Sequence, residues 1–152
     1  MQRLSVCIDI DGTLTDPYYY FGFSLNNESG IRSGVQDTIN ELYQTHYIHF
    51  VTARNEVMEC ASVNWLHRNE IPYDSISLLG TPDKVQRAGE LEADIFVEDC
   101  YDSALQLARA GFDVLLLDCG YNQGPLLPNV TRVYNWRQIR DIIVRHAEKE
   151  AS

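Results

Sequence analysis

The segment Leu4-Ser5-Val6-Cys7-Ile8-Asp9-Ile10 constrains this chain most, because it is a short apolar run with a carboxylate near its end. Apolarity without alternation marks a strand covered on both faces, as in a parallel sheet. The chain then alternates between strand and helix patterns. Helical spacing predicts a helix over residues 35–44, with Val35, Ile39, Leu42 and Tyr43 on one face. A strand is expected at residues 47–51, then a helix at about 56–69 with Val57, Ala61, Trp65 and Leu66 inward, ended by Pro72. A weaker strand at residues 75–79 leads through Gly80-Thr81-Pro82 to a helix over about 83–91, with Thr81 as a candidate N-cap. A strand at residues 94–97, a helix at 102–110, strands at 113–117 and 132–134, and a helix at 136–145 complete the series. Short connections between such elements predict an α/β fold: three layers, Rossmann-like, with a mainly parallel sheet and helices on both faces. Ligands of such sheets bind beyond the carboxyl ends of the strands. Asp9, Thr52 and Glu98-Asp99 each directly follow an apolar strand, and Lys84 opens the helix after the third.

Length and charge narrow the function. A chain of 152 residues fits one domain over residues 1–152. Its net charge of −10 and lack of a Lys/Arg cluster argue against stable nucleic-acid binding, which needs a basic surface. A small phosphorylated substrate stays compatible, since a bound divalent cation supplies positive charge locally. No apolar run approaches the roughly 18 residues that span a bilayer, so no membrane partner is expected. No small-residue cleavage site follows Met1-Gln2-Arg3-Leu4, and a cytoplasmic location is the expectation. Cys7, Cys60, Cys100 and Cys119 have no CxxC spacing, which predicts reduced and mostly buried thiols. His46, His49, His67 and His146 are scattered and read as structural or surface residues. The polar end, residues 148–152, is the one segment whose composition suggests disorder.

The strongest chemical signal is Asp9-Ile10-Asp11-Gly12-Thr13. With residue usage near ~5%, four such fixed positions recur by chance in about one chain of this length per thousand. A carboxylate at a strand end can attack phosphorus and form an aspartyl-phosphate, splitting one hard displacement into two. A second acid two positions on can protonate the leaving oxygen and then activate water. Gly12 is expected to turn the backbone sharply and leave amide hydrogens facing the phosphate.

These residues resemble the haloacid dehalogenase-like phosphohydrolase superfamily, whose first motif is an apolar strand followed by DxDGT. The resemblance implies Asp9 as nucleophile, Asp11 as acid/base, and Mg2+ bound by the Asp9 carboxylate and the Asp11 backbone carbonyl. Val51-Thr52-Ala53-Arg54 looks like the second motif, in which the Thr52 hydroxyl and the Ala53 amide hold a phosphate oxygen. Arg54 either contacts phosphate or substrate, or caps a surface. Lys84 matches the third motif, a Lys between nucleophile and phosphate. In the fourth, Glu98-Asp99-Cys100-Tyr101-Asp102, the spacing to Asp102 places Glu98 where the superfamily usually has its metal-binding Asp. Glu98 and Asp99 are both metal candidates, with Asp102 acting through water. Within the superfamily, residues 5–11, 50–54, 64–76 and 94–117 are similar to bacterial 5'(3')-deoxyribonucleotidase-like proteins, where a Glu-Asp pair in the fourth motif is usual.

One departure stands out. The deoxyribonucleotidases insert a helical cap between the first two motifs, whereas 38 residues separate Thr13 from Thr52 here. A helix and a strand use more than half of them, so residues 14–33 form a loop in place of a cap. Its aromatics, Tyr18 and Tyr19 among them, either stack on a base or pack on the core or a neighbouring subunit. An open site accepts a larger substrate or borrows a lid from a second protomer in a homo-oligomer. The sequence therefore predicts a Mg2+-dependent phosphomonoesterase with a nucleoside monophosphate as the first substrate to try. A phosphatase on a sugar phosphate or a polynucleotide 3'-phosphate end, and a catalytically silent phosphate-binding module, are the alternatives. The loop 120–128 at a strand end is a further candidate for holding substrate.

Overall fold

The computed structural model describes residues 2–17 and 30–150, the side chain of residue 150 excepted. Among the described residues, six strands form one parallel sheet: β1 (Ser5–Ile8), β2 (Tyr47–Thr52), β3 (Ser75–Leu78), β4 (Ile95–Glu98), β5 (Val114–Leu117) and β6 (Val130–Val133), ordered β3-β2-β1-β4-β5-β6. The helices are α1 (Val35–Tyr43), α2 (Glu59–Arg68), α3 (Val85–Glu90), α4 (Tyr101–Arg109) and α5 (Trp136–Glu150).

Side-chain alternation along the central strands divides the core between the two faces. Val6 and Ile8 of β1 join Ile39, Leu66, Trp136 and Ile139 on the face covered by α1, α2 and α5. Cys7 joins Phe96 with Ala88 of α3 and Leu107 of α4 on the other. Strand order reverses between β1 and β4, whose chains continue outward to opposite edges. That crevice is where a doubly wound sheet binds its ligand, and Asp9 and Asp99 emerge on its two sides.

Several local expectations need correction. Residues 56–58 form a 3-10 turn before α2, and of the expected inward residues Trp65 and Leu66 are buried, while Val57 is 86% exposed, Ala61 is exposed and Ser62 is inward instead. The helix after β3 starts at Val85. Thr81 caps only a turn, its hydroxyl accepting from the Asp83 amide at 3.3 Å, and Lys84 takes the N-cap position. The last strand begins at Val130, and α5 runs through Glu150, into the segment whose polarity suggests disorder. Cys7 and Cys119 are buried, but Cys60 is exposed on α2. His46, by contrast, is structural as expected: it is fully buried, its Nδ1 accepting from the Leu4 amide at 3.1 Å.

Tyr18 and Tyr19 lie outside the described residues. The two limbs of their loop are described, and they pair: Thr15 and Ile31 form an antiparallel bridge, and the amides of Asp16 and Arg32 donate to Gly30 and Leu14 carbonyls at 2.6 and 2.7 Å. The excursion from the first motif thus leaves and returns through a fixed neck. Among the described residues, no helix is long and apolar enough to cross a membrane.

Candidate active site

The apolar strand β1 ends in a single tight turn. The amides of Thr13 and Leu14 donate to the Ile10 carbonyl at 3.2 and 2.9 Å, and the Gly12 amide donates to the Thr15 hydroxyl at 2.8 Å. These three amides are occupied inside the turn. Gly12 is required for a steric reason. Its φ is +80°, and a Cβ there would sit 2.7 Å from the Asp99 carboxyl carbon, so any side chain would displace a carboxylate of the site. The turn is braced by Arg32, whose Nη2 donates to the Gly12 carbonyl at 2.8 Å, and by the Trp136 indole, which donates to the Thr13 carbonyl at 3.1 Å.

Above this turn lie three carboxylates. Asp9, Glu98 and Asp99 each offer an oxygen within 4.8 Å of the others, and all three are buried. The buried Lys84 ammonium donates to Asp9 Oδ1 and to Glu98 Oε2, each at 2.8 Å. The Thr13 hydroxyl donates to Asp99 Oδ1 at 3.0 Å, and the Tyr121 hydroxyl donates to Asp99 Oδ2. Glu98 Oε1 also accepts from the Asp99 and Cys100 amides at 3.1 and 3.2 Å. Three separate parts of the sequence therefore meet as the motif spacing predicts: Asp9, Lys84 and the Glu98-Asp99 pair.

The electrostatics follow from crowding three acids around one base. Burial alone would push the Asp9 carboxyl up, but the Lys84 charge and hydrogen bonds from the cluster outweigh it and hold Asp9 below the usual range. Lys84 mirrors this: burial opposes its charge, while Asp9 and Glu98 raise its pKa. Burial, and then the Asp9 charge, lift Glu98 well above the ordinary glutamate value and Asp99 to about 7. Asp9 and Lys84 are thus held in their charged forms, while Glu98 and Asp99 ionise less readily than ordinary carboxyls.

The remaining candidates sit around this cluster. Thr52 is buried at the tip of β2, its hydroxyl oxygen accepting from the Arg54 amide at 3.1 Å, which leaves its own proton to donate elsewhere. Ala53 is exposed beside it. Asp11 is not part of the carboxylate cluster. Its half-exposed side chain turns to Arg54, which donates from Nε and Nη2 at 2.8 and 2.6 Å. Asp102 is exposed on the first turn of α4 and is not brought into the cluster.

Tyr121 and Asn122 are the residues missed by name, although their loop was singled out. The buried Asn122 side chain donates to the carbonyls of Asp99 and Leu117 at 2.8 and 2.7 Å, tying the ends of β4 and β5 together. Arg132 of β6 donates to Asn122 Oδ1 at 2.9 Å and fixes it. The available signal was position: the loop leaves the carboxyl end of a strand beside the switch point, where each polar side chain is a site candidate.

Comparison with known proteins places this geometry among relatives. The family model described as PITM 1-3, LNS2 domain matches residues 6–92. A nucleotidase of Clostridium acetobutylicum is 37% identical over 188 aligned positions, covering 98% of each protein. The 188 positions exceed the 152 residues here, so at least 36 of them have no counterpart in this chain. Among solved structures, D,D-heptose 1,7-bisphosphate phosphatase of B. bronchiseptica, determined with magnesium and phosphate, superimposes with a TM-score of 0.69 at 17% identity, covering 96% of this chain and all of that one. A haloacid dehalogenase-like hydrolase of Xanthomonas campestris gives a TM-score of 0.63 at 9% identity, over 79% of this chain and 56% of that one.

Proposed function

Because this chain belongs to the LNS2-domain family and to the nucleotidase-like branch of the haloacid dehalogenase-like phosphohydrolases, we propose that it hydrolyses phosphomonoesters through an aspartyl-phosphate on Asp9, with a nucleoside monophosphate as substrate. The observation that carries the reading is the Asp9–Lys84–Glu98–Asp99 cluster in the β1/β4 crevice.

The donor set fits magnesium. Three buried carboxylates face one ammonium, all their ligand atoms are hard oxygens, and burial with the Asp9 charge makes two of the acids ionise less readily, a cost that a bound cation would offset. Asp9, the Asp11 backbone carbonyl, and Glu98 or Asp99 would hold it. When bound it supplies positive charge to the phosphoryl oxygens and neutralises the carboxylates.

The residues divide the work as follows. Lys84 fixes one oxygen of Asp9, and the other attacks phosphorus. The ester P–O bond breaks as the Asp11 carboxyl gives its proton to the leaving oxygen. Asp11, now a carboxylate, removes a proton from water, whose oxygen attacks the phosphorus. Inorganic phosphate leaves, Asp9 returns as a carboxylate, and Asp11 is again protonated. Thr52 and the Ala53 amide hold a phosphate oxygen, and Lys84 offsets charge between nucleophile and phosphate.

The first test is hydrolysis of an aryl phosphate with magnesium and then with EDTA, followed by a panel of nucleotides and sugar phosphates. Turnover with the metal only, and preference for nucleotides, supports the reading. No turnover in either condition favours a silent phosphate-binding module.

Magnesium binding should also depend on pH. Asp99 has a folded-state pKa of about 7 against an unfolded value near ~3.9. Its proton therefore favours the fold at low pH, and that contribution is lost as pH rises from ~4 to ~7. Magnesium must displace the same proton. Calorimetric titration should give an affinity roughly tenfold weaker at pH 6 than at pH 8, since one pH unit below a pKa corresponds to about 1.4 kcal/mol. An affinity unchanged between these values would show that Asp99 is not a ligand.

A further inference from the structure

We propose that Arg54 is a positioning residue for Asp11, mounting the acid/base carboxylate on the body of the protein, and not a substrate ligand. The inference rests on the role given to Asp11 above.

Asp11 sits in a turn with a half-exposed side chain, and a free aspartate there would sample several rotamers. Both of its oxygens are instead engaged by one guanidinium, at 2.8 and 2.6 Å. That guanidinium is itself fixed. Arg54 is only 6% exposed, and its Nη1 donates to the Ser62 hydroxyl at 2.7 Å. Its amide donates to Thr52 and its carbonyl accepts from the Gly80 amide at 3.0 Å, so backbone and side chain are held separately.

Ser62 makes the arrangement hard to read as a surface cap. It is 1% exposed and occupies an inward position of α2 between the sheet and the helix, where a small apolar residue would satisfy packing. A hydroxyl there serves to accept from Arg54. The chain of contacts Ser62–Arg54–Asp11 thus runs from a packed helix to a loop carboxylate, and through the Arg54 amide it reaches Thr52. One rigid unit sets both the phosphate grip and the acid/base group. A fork that binds both carboxylate oxygens fixes the plane of the group as well as its place, which lysine cannot do. Each oxygen keeps a second lone pair for proton transfer.

The leaving group supplies the test. A nucleoside alkoxide needs a proton to depart, whereas 4-nitrophenolate does not. In single-turnover measurements with magnesium, Arg54→Gln should slow nucleoside release from a nucleoside 5'-monophosphate by about tenfold or more. Nitrophenolate release from 4-nitrophenyl phosphate should stay within about twofold, with KM for both substrates nearly unchanged. Arg54→Lys should not restore the rate. Ser62→Ala, which touches neither Asp11 nor substrate, should give a smaller defect with the same leaving-group dependence. A raised KM at constant kcat would make Arg54 a substrate ligand, and equal slowing of both esters would make it merely structural; either result overturns the proposal. If the wild-type protein turns over neither ester, the parent reading fails, and this inference with it.

Discussion

Replacing Lys84 by Met is expected to destabilise the fold by about 3–5 kcal/mol and to abolish turnover. The ammonium is almost out of water and bonds to Asp9 and Glu98 at 2.8 Å each. Without it, three carboxylates within 4.8 Å of one another remain buried with no internal cation. Removing one partner of a buried ion pair leaves the other charge desolvated and unpaired, and that is where the cost arises. Burial and the Asp9 charge already lift Glu98 above the ordinary glutamate value, so it takes up a proton and limits the loss. For a protein of this size the melting temperature should fall by about 10 °C. Two additions sharpen the test: saturating magnesium should recover part of the loss, and Lys84→Met/Glu98→Gln should be more stable than Lys84→Met while still inactive. A change below about 1 kcal/mol would mean that water reaches the cluster and that these groups are not a desolvated unit.

Asp9→Asn is expected to lower kcat by at least about a thousandfold, with the fold intact. The amide keeps the shape of the carboxylate, and its oxygen can still accept from Lys84, which retains its ion pair with Glu98. What is lost is the nucleophile. Relieving one of three crowded negative charges offsets the weaker contact to Lys84, so the melting temperature of the metal-free variant should stay within a few degrees of wild type, roughly 1 kcal/mol. Steady-state kinetics beside thermal melts separate this outcome from simple misfolding. Turnover near the wild-type rate would remove Asp9 from the chemistry.

The contrast between the two variants reflects what the sequence encodes openly. An apolar run that ends in an acid reports a strand tip, and parallel strands bring all such tips to one edge, so it was legible that Asp9, Thr52 and the Glu98-Asp99 pair share that edge. Lys84 was legible through its place just before α3. Contacts made by packing were not. Ser62 lies three residues before Trp65 and four before Leu66 on the inward face of α2, but nothing in the sequence names Arg54 as its partner. Tyr121 reaches Asp99 from a loop 22 residues away whose composition would suit any connection. The use of the Gly12–Leu14 amides inside the turn, rather than toward a ligand, depends on the Thr15 hydroxyl and the Ile10 carbonyl. The short connection in place of a cap rests on counting residues, and 18–29 of it lie outside the described residues.

Covalent trapping tests the central claim most directly. In Asp11→Asn the second step lacks its base, so a phosphoryl group transferred to Asp9 should accumulate. Rapid acid quench of that variant after mixing with 4-nitrophenyl phosphate and magnesium, followed by peptide mass spectrometry, should find one phosphoryl group on Asp9 in the peptide spanning β1, labile to hydroxylamine. A wild-type enzyme that turns over the ester while its variant carries no phosphoryl group, or carries it on another residue, would contradict attack by Asp9.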